Sequence, residues 1–331
     1  MNNFQAFMIH KDEQGFRSGV ETLNLDQLPE WDVTVQVEYS SVNYKDGLAN
    51  SPDGRIVKSY PFVPGIDLAG TVVESSHPRF QPGDAVLCTG YGVGESHFGG
   101  YSRYARVNGD WLVSLPKGLD FKEAMSIGTA GFTAALSVDS LILNGLKTEL
   151  GPVLVTGATG GVGSVAVSIL AQLGYEVVAS TGKVDTQREW LQQLGATSVV
   201  SREEVIAPTK GVLAKEQWSG VVDPVGGSNV SGLLKMVQYG GGVALSGLTG
   251  GSNFENTVYP FILRGIQLLG IDSVYCPMER RQDIWKKLGA EWKPAKLLDG
   301  GITEISLHEL PGVLETILQG GAVGRTVVKL G

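Results

Sequence analysis

The stretch Val153-Leu154-Val155-Thr156-Gly157-Ala158-Thr159-Gly160-Gly161-Val162-Gly163 sets an apolar strand directly before a glycine cluster, and an apolar-periodic run, Val162 to Leu173, follows it. A strand, a bare turn and a helix start in that order suit a nucleotide pyrophosphate: the helix presents N–H groups, and Gly160, Gly161 and Gly163 let the ligand approach without Cβ obstruction. Both G-x-G-x-x-A from Gly161 and A-x-G-x-x-G from Ala158 fit a dinucleotide turn, and the strand before it makes the match stronger than an isolated glycine pattern. Thr156, Ala158, Thr159, Gly160, Gly161, Val162 and Gly163 are therefore the first candidate cofactor residues.

Downstream, β-like and helical runs alternate: Glu176 to Ser180, Thr186 to Leu194, Gly220 to Asp223, Asn229 to Gln238, Gly242 to Ser246 and Ile266 to Ile271. That alternation predicts parallel βαβ units and about six strands of a doubly wound sheet. The second strand ends Ala179-Ser180-Thr181-Gly182-Lys183. A free ribose 2′-hydroxyl calls for an acidic residue here, whereas Lys183, with hydroxyls from Ser180 and Thr181, suits a 2′-phosphate, so NADPH is the expected cofactor. The alternative for Lys183 is a solvated lysine before a helix that Asp185 caps.

Upstream, the grammar is that of strands. Asp32 to Val42 alternates through Val33, Val35 and Val37, and Leu68 to Glu74, Ala85 to Thr89 and Tyr101 to Val107 are short β-prone runs broken by Pro and Gly, a small barrel or sandwich pattern. Asp120 and Glu123 have capping-box spacing before a helical run and mark the domain boundary. After Asp272 come a polar helix, Glu279 to Trp292, and a final β-like run, Arg325 to Leu330. That last strand needs a sheet partner, which the early β-rich region can supply. The expected domains are 1–122 completed by 291–331, and 123–290.

Composition sets the outer limits. A chain of 331 residues with 42% hydrophobic and 18% charged residues has room for two buried cores. The net charge of −8 gives no general attraction to nucleic acid or anionic membrane, though a local basic pocket remains compatible with it. Two cysteines, Cys88 and Cys276, build neither a disulfide framework nor a four-cysteine zinc site. Met1 to Gly15 carries Lys11, Asp12 and Glu13 where an export signal needs an apolar core, and no stretch reads as membrane-spanning; a cytoplasmic location is expected.

The chain resembles the medium-chain dehydrogenase/reductase superfamily, and within it the YhdH/YhfP group of quinone oxidoreductases and acryloyl-CoA reductases. The likeness rests on Ser41-Val42-Asn43-Tyr44-Lys45-Asp46-Gly47, Pro64-Gly65-Ile66-Asp67-Leu68-Ala69-Gly70-Thr71-Val72, Gly128-Thr129-Ala130-Gly131-Phe132-Thr133-Ala134, the glycine turn, and Tyr259-Pro260-Phe261-Ile262-Leu263-Arg264. It implies an α/β protein with a GroES-like β-rich catalytic domain, a Rossmann doubly wound parallel-sheet domain, a cleft between them, and a homodimer. Zinc-dependent relatives carry a cysteine and a histidine where this chain has Asn43 and Ile66, neither a zinc ligand. His10, His77, His97 and His308 show no ligand spacing with the cysteines, so no metal is expected.

Without a Lewis acid, hydride addition to an activated alkene is the chemistry the resemblance favours: acryloyl-CoA to propanoyl-CoA, with enones or quinones as alternative substrates, or an NADPH-binding protein without catalysis. Tyr44 is the first candidate for hydrogen-bond donation or proton positioning, and Asn43 for holding cofactor or carbonyl; Asp46 serves as well as a turn or capping residue. Tyr44 also stands among the cofactor contacts implied by the resemblance, with Thr133, Leu248, Ile262 and Ser273. Arg202, Arg264 and Arg325 are candidate partners for anionic groups.

Overall fold

A computed structural model describes residues 3–205 and 211–331. Along the chain run the hairpin β1 (Phe4–Asp12) and β2 (Gly15–Leu23), then β3 (Val33–Ser41), α1 (Tyr44–Ala49), β4 (Asp67–Ser75), β5 (Ala85–Thr89), β6 (Tyr104–Val107), β7 (Val113–Ser114) and α2 (Phe121–Leu143). Next come β8 (Val153–Val155), α3 (Gly161–Gln172), β9 (Val177–Ser180), α4 (Val184–Leu194), β10 (Ser198–Val200), β11 (Trp218–Asp223), α5 (Asn229–Met236), β12 (Val237–Leu245), α6 (Tyr259–Arg264) and β13 (Gln267–Gly270). The chain closes with α7 (Met278–Leu288), α8 (Ala295–Gly300), β14 (Ile302–Ile305), α9 (Leu310–Leu318) and β15 (Arg325–Lys329). These elements form two units: Met1–Thr129 with Val274–Gly289 and Ile302–Gly331, and Ala130–Ser273 with Ala290–Gly301.

In the first unit, β3 organises a seven-stranded sheet in the order β14-β15-β3-β4-β5-β7, with β6 also on β3. The alternating valines Val33, Val35 and Val37 are fully buried, and they pack with Leu68, Val72, Val86 and Leu112 into one core. The expected return of the C-terminus is found: β15 runs antiparallel to β3, Val327 opposite Ser41 and Lys329 opposite Tyr39. The Asp120–Glu123 capping box forms as read, with reciprocal bonds of 3.1 and 2.7 Å.

In the second unit six parallel strands lie in the order β10-β9-β8-β11-β12-β13. Counted from β8 that is 3-2-1-4-5-6, the dinucleotide-binding topology, whose strand order reverses between β8 and β11. Strands β8, β9 and β11 are buried along their whole length, which is why they read as unbroken apolar runs.

Three features depart from the sequence expectations. The chain crosses between units more often than the 1–122, 123–290 and 291–331 division: α7 joins the first unit, where buried Arg281 donates to the carbonyl and hydroxyl of Thr89, and α8 joins the second beside α3. The hairpin β1–β2 and the short strands β10 and β14 were not foreseen. Helix α2, at 23 residues, does reach membrane-spanning length by composition, but 78% of its apolar window is buried inside the protein and Gly128 breaks it.

Candidate active site

The glycine turn lies at the switch point of the second unit. Thr156 closes β8, and its hydroxyl donates to Asp223 at the end of β11, whose carboxylate also accepts from Val225 N (3.2 Å) and Gly226 N (3.1 Å). Burial raises the Asp223 carboxyl, while these bonds draw it back down. Ala158 N donates to Ser180 O (3.0 Å), tying the turn to β9. Gly163 is required by packing, since a Cβ there would lie 2.4 Å from Gly157 O and 2.7 Å from the α-carbon of Ala158. Helix α3 starts at Gly161 with no side-chain cap from its N-cap, Gly160, and the N–H groups of a first helical turn have no intrahelical acceptor. A bare turn ending in uncapped N–H groups fits a pyrophosphate.

Beyond β9 two cations come together. The Arg202 guanidinium lies against Gly182, where a Cβ would meet its Cζ at 2.9 Å, and Lys183 is held below the ordinary lysine range by burial and by the charge of Arg202. Two cations side by side give the charge and the donors that a phosphate needs, so Lys183 and Arg202 fit one. The hydroxyls read as phosphate ligands are engaged inward instead: Ser180 Oγ donates to Ser201 O (3.4 Å), while Thr181 Oγ1 accepts from Lys183 N (3.1 Å) and pairs with Thr159 (3.1 Å). Both residues are at most 2% exposed. Leu248, 62% exposed, lies beyond β12 in a loop stitched to the β11 loop by Gly250 N to Val225 O (2.8 Å), on the same edge as the turn. Thr133 is buried on α2, and Ser273 ends the second unit's main segment.

Two expectations fail on position. Ile262 is exposed on α6, whose terminal Arg264 donates to Lys235 O (2.8 Å) and Ala214 O (2.6 Å) and pairs with Glu216 (3.3 Å). Those carbonyls lie at the amino-terminal approach to β12, the sheet edge opposite the glycine turn. Arg264 is thereby a structural residue, and nothing joins Ile262 to the turn among the described residues. Arg325 is 2% exposed in the first unit and donates to Ser126 O (2.8 Å), Val42 O (3.1 Å) and Asn43 Oδ1 (3.3 Å), so its guanidinium faces the interior rather than an incoming anion.

The first unit holds the Asn43–Tyr44 turn between β3 and α1. Tyr44 is 37% exposed, and its hydroxyl meets no hydrogen-bond partner among the described residues. Asn43 points the other way, 7% exposed, with Nδ2 donating to Asp67 Oδ2 (2.8 Å), Asp46 Oδ2 (3.2 Å) and Ser41 Oγ (3.1 Å). With Nδ2 committed inward and Oδ1 held by Arg325, the Asn43 amide faces the interior rather than the open side that its expected role as a direct contact needs. Asp46 caps α1 through Asn43 N (2.9 Å) and also accepts from Ile66 N (2.9 Å); burial, then the charge of Asp67, raises its carboxyl to about 7. The buried Tyr101 hydroxyl donates to Ser41 O (3.0 Å) and is pushed well above its ordinary range, first by burial. Asp67, Ser41, Thr129 and Tyr101 were missed as a group; the only signal was a carboxylate inside the apolar, glycine-rich run Pro64 to Val72.

Two family models match: the alcohol dehydrogenase GroES-like domain over residues 29–117 and the zinc-binding dehydrogenase family over 161–289. YhfP of Bacillus subtilis, whose name places it among the quinone oxidoreductases, is 54% identical over 327 residues, 99% of each chain. The chain belongs to the medium-chain dehydrogenase/reductase superfamily. It is also 50% identical to the acrylyl-CoA reductase AcuI of Ruegeria pomeroyi over 98% of each chain. The structure of Escherichia coli K-12 YhdH with bound NADPH superposes with a TM-score of 0.94 at 47% identity, covering 98% of this chain and 100% of that one. The structure of YhfP with NAD bound gives a TM-score of 0.97 over 100% of both chains. Zinc, which the second family's name invokes, does not fit here: Asn43 is an amide already committed to carboxylates, Ile66 is a hydrocarbon, and no three His, Cys, Asp or Glu side chains cluster for a metal among the described residues.

Proposed function

We propose that this oxidoreductase is an NADPH-dependent reductase of activated alkenes that works without zinc, with acryloyl-CoA as substrate and propanoyl-CoA as product. The paired cations Lys183 and Arg202 beside an uncapped glycine turn carry the cofactor assignment. The 50% identity to a protein named acrylyl-CoA reductase supports the substrate. NADPH, when bound, supplies the hydride for the β-carbon, and one proton is taken up at the α-carbon. The protein's share is to seat the pyrophosphate on Gly160 to Gly163, to hold the 2′-phosphate with Lys183 and Arg202, and to present the Tyr44 hydroxyl. As a donor, Tyr44 stabilises negative charge on the thioester oxygen or positions the proton.

The direct test is NADPH consumption with acryloyl-CoA, crotonyl-CoA, simple enones and 1,4-benzoquinone. Preference for acryloyl-CoA supports the assignment; a preference for the quinone makes the chain a quinone reductase, as the name of its 54% identical relative suggests. NADPH binding with no turnover across the panel defeats both. Tyr44→Phe is expected to lower kcat on acryloyl-CoA by about 100-fold at saturating NADPH, the low end of general acid–base assistance. Unchanged turnover removes the hydroxyl from the chemistry.

The protein is further proposed to act as a homodimer in the cytoplasm, on a small-molecule substrate and without nucleic-acid or membrane partners. Strand β13 is an open sheet edge, and Val258, Tyr259, Ile262 and Leu263 expose 43–68% of their surface just before it. Sedimentation analysis is expected to find a dimer that Leu263→Glu weakens; a wild-type monomer at micromolar concentration rejects it. Cys88 and Cys276 are buried, as suits thiols in a reducing compartment, and burial pushes the Cys88 thiol up to about 12.

A further inference from the structure

Four hydrogen bonds converge on the Asp67 carboxylate from three residues of the first unit. Ser41 Oγ at the end of β3 donates at 2.5 Å, Asn43 Nδ2 at 2.8 Å, and Thr129 through its N–H (2.9 Å) and its hydroxyl (2.6 Å). Asp67, Asp46 and Ser41 have no solvent exposure, and Arg325 has 2%. Holding two carboxylates in such a place is unfavourable before compensation, and an apolar or neutral cap closes a short turn without that penalty. The network does more than close the turn, because it fixes the Asn43–Tyr44 backbone from both sides. Carboxylates take the Asn43 amide nitrogen, and Arg325 takes its oxygen and the carbonyl of Val42, so the amide cannot flip and the next residue, Tyr44, leaves in one direction.

We propose that Asp67 is a positioning residue for the reaction: as an acceptor shared by Ser41, Asn43 and Thr129, it holds the turn that presents Tyr44 and thereby sets the rate of the chemical step. The proposal rests on the role given to Tyr44 above and adds to it a residue that touches neither substrate nor cofactor. The working property of Asp67 is its acceptor geometry. Three of the four donors meet Oδ2, and only the rotatable Thr129 hydroxyl meets Oδ1. An asparagine keeping its oxygen at the Oδ2 position satisfies the three donors that meet it, and its amide N–H then meets a hydroxyl that can turn and accept.

The test compares Asp67→Ala with Asp67→Asn. Asp67→Ala is expected to lower kcat by about 30- to 100-fold, the scale of an ångström-level misplacement, with the NADPH dissociation constant within about threefold of wild type. Asp67→Asn is expected to recover kcat to within about threefold of wild type. The proposal is overturned if Asp67→Ala retains wild-type kcat, if Asp67→Asn is as damaged as Asp67→Ala, or if NADPH affinity falls in step with kcat. Should Asp67→Ala fail to fold, Ser41→Ala removes one donor only; kcat lowered about 3- to 10-fold at unchanged NADPH affinity supports the proposal, and unchanged kcat overturns it. All variants are run on acryloyl-CoA and on 1,4-benzoquinone. A wild type that reduces only the quinone defeats the substrate assignment, and the variant-to-wild-type ratios on the quinone still decide the role of Asp67. A crystal structure of Asp67→Ala with Tyr44 undisplaced also overturns it.

Discussion

Arg325→Met is expected to destabilise the first unit by about 3–5 kcal/mol, the cost of removing one partner from a buried charged network. The guanidinium forms no direct ion pair among the described residues; it acts through Ser126 O, Val42 O and the Asn43 amide, and its charge offsets two carboxylates at zero exposure. Methionine refills the volume but leaves three acceptors without a donor and the carboxylates without a counter-charge. Urea denaturation measures the loss, and hydrogen exchange at β3 and β15 assigns it to the first unit. The deficit is also expected to depend on pH. The Asp46 carboxyl is raised to about 7 in the folded protein against 3.8 in a free chain, so between these values the folded state takes up a proton that the unfolded state does not. Stability contributed by that proton is present at low pH and lost as pH rises through about 7, so the Arg325→Met deficit shrinks from pH 8 to pH 5. A pH-independent deficit indicates that the lost hydrogen bonds, not the balance of buried charge, set the cost.

Lys183→Glu is expected to raise the KM for NADPH by about 10- to 100-fold, with NADH changed by no more than a few fold. A charge-assisted hydrogen bond contributes about 1.5–3 kcal/mol, each 1.4 kcal/mol is tenfold, and a carboxylate adds repulsion to the loss. Neighbouring Arg202 retains part of the attraction, which keeps the effect below total loss of binding. NADH has no 2′-phosphate and meets only the altered field. Parallel steady-state measurements with the two cofactors check this, and equal losses for both remove Lys183 from the phosphate site.

The second unit was legible because its logic is local. A glycine turn between an apolar strand and an apolar helix has one common structural solution, and buried parallel strands announce themselves as apolar runs of the right length. The return of the last strand was legible too, from the need of Arg325–Lys329 for a sheet partner. The strands β10 and β14, three and four residues long, are too short for periodicity to separate them from loop. The placement of α7 and α8 was not readable, since an amphipathic helix declares that one face is buried but not against which sheet. The polar core of the first unit was hidden for a related reason. Aspartate and arginine are by default surface residues, and only the fold shows that Asp46, Asp67 and Arg325, far apart in sequence, meet at one place.

Gly128 belongs to that place. It breaks α2 with φ 52° and ψ −161°, and a Cβ on it would lie 2.6 Å from Asp67 Oδ2, 2.8 Å from Ser41 Oγ and 3.0 Å from an Arg325 terminal nitrogen. A side chain is thus refused twice, by backbone conformation and by the network.

The position of β15 also bears on synthesis. Strand β3, at residues 33–41, has one neighbour, β15, that begins only at residue 325, whereas residues 130–273 carry all six strands of the second unit in one unbroken segment. On the ribosome the later-made sheet can therefore close before the earlier one. Until the final strand emerges, β3 waits with an open edge, and a chain stalled or cut short after residue 301 releases a finished nucleotide-binding sheet joined to an unfinished catalytic one.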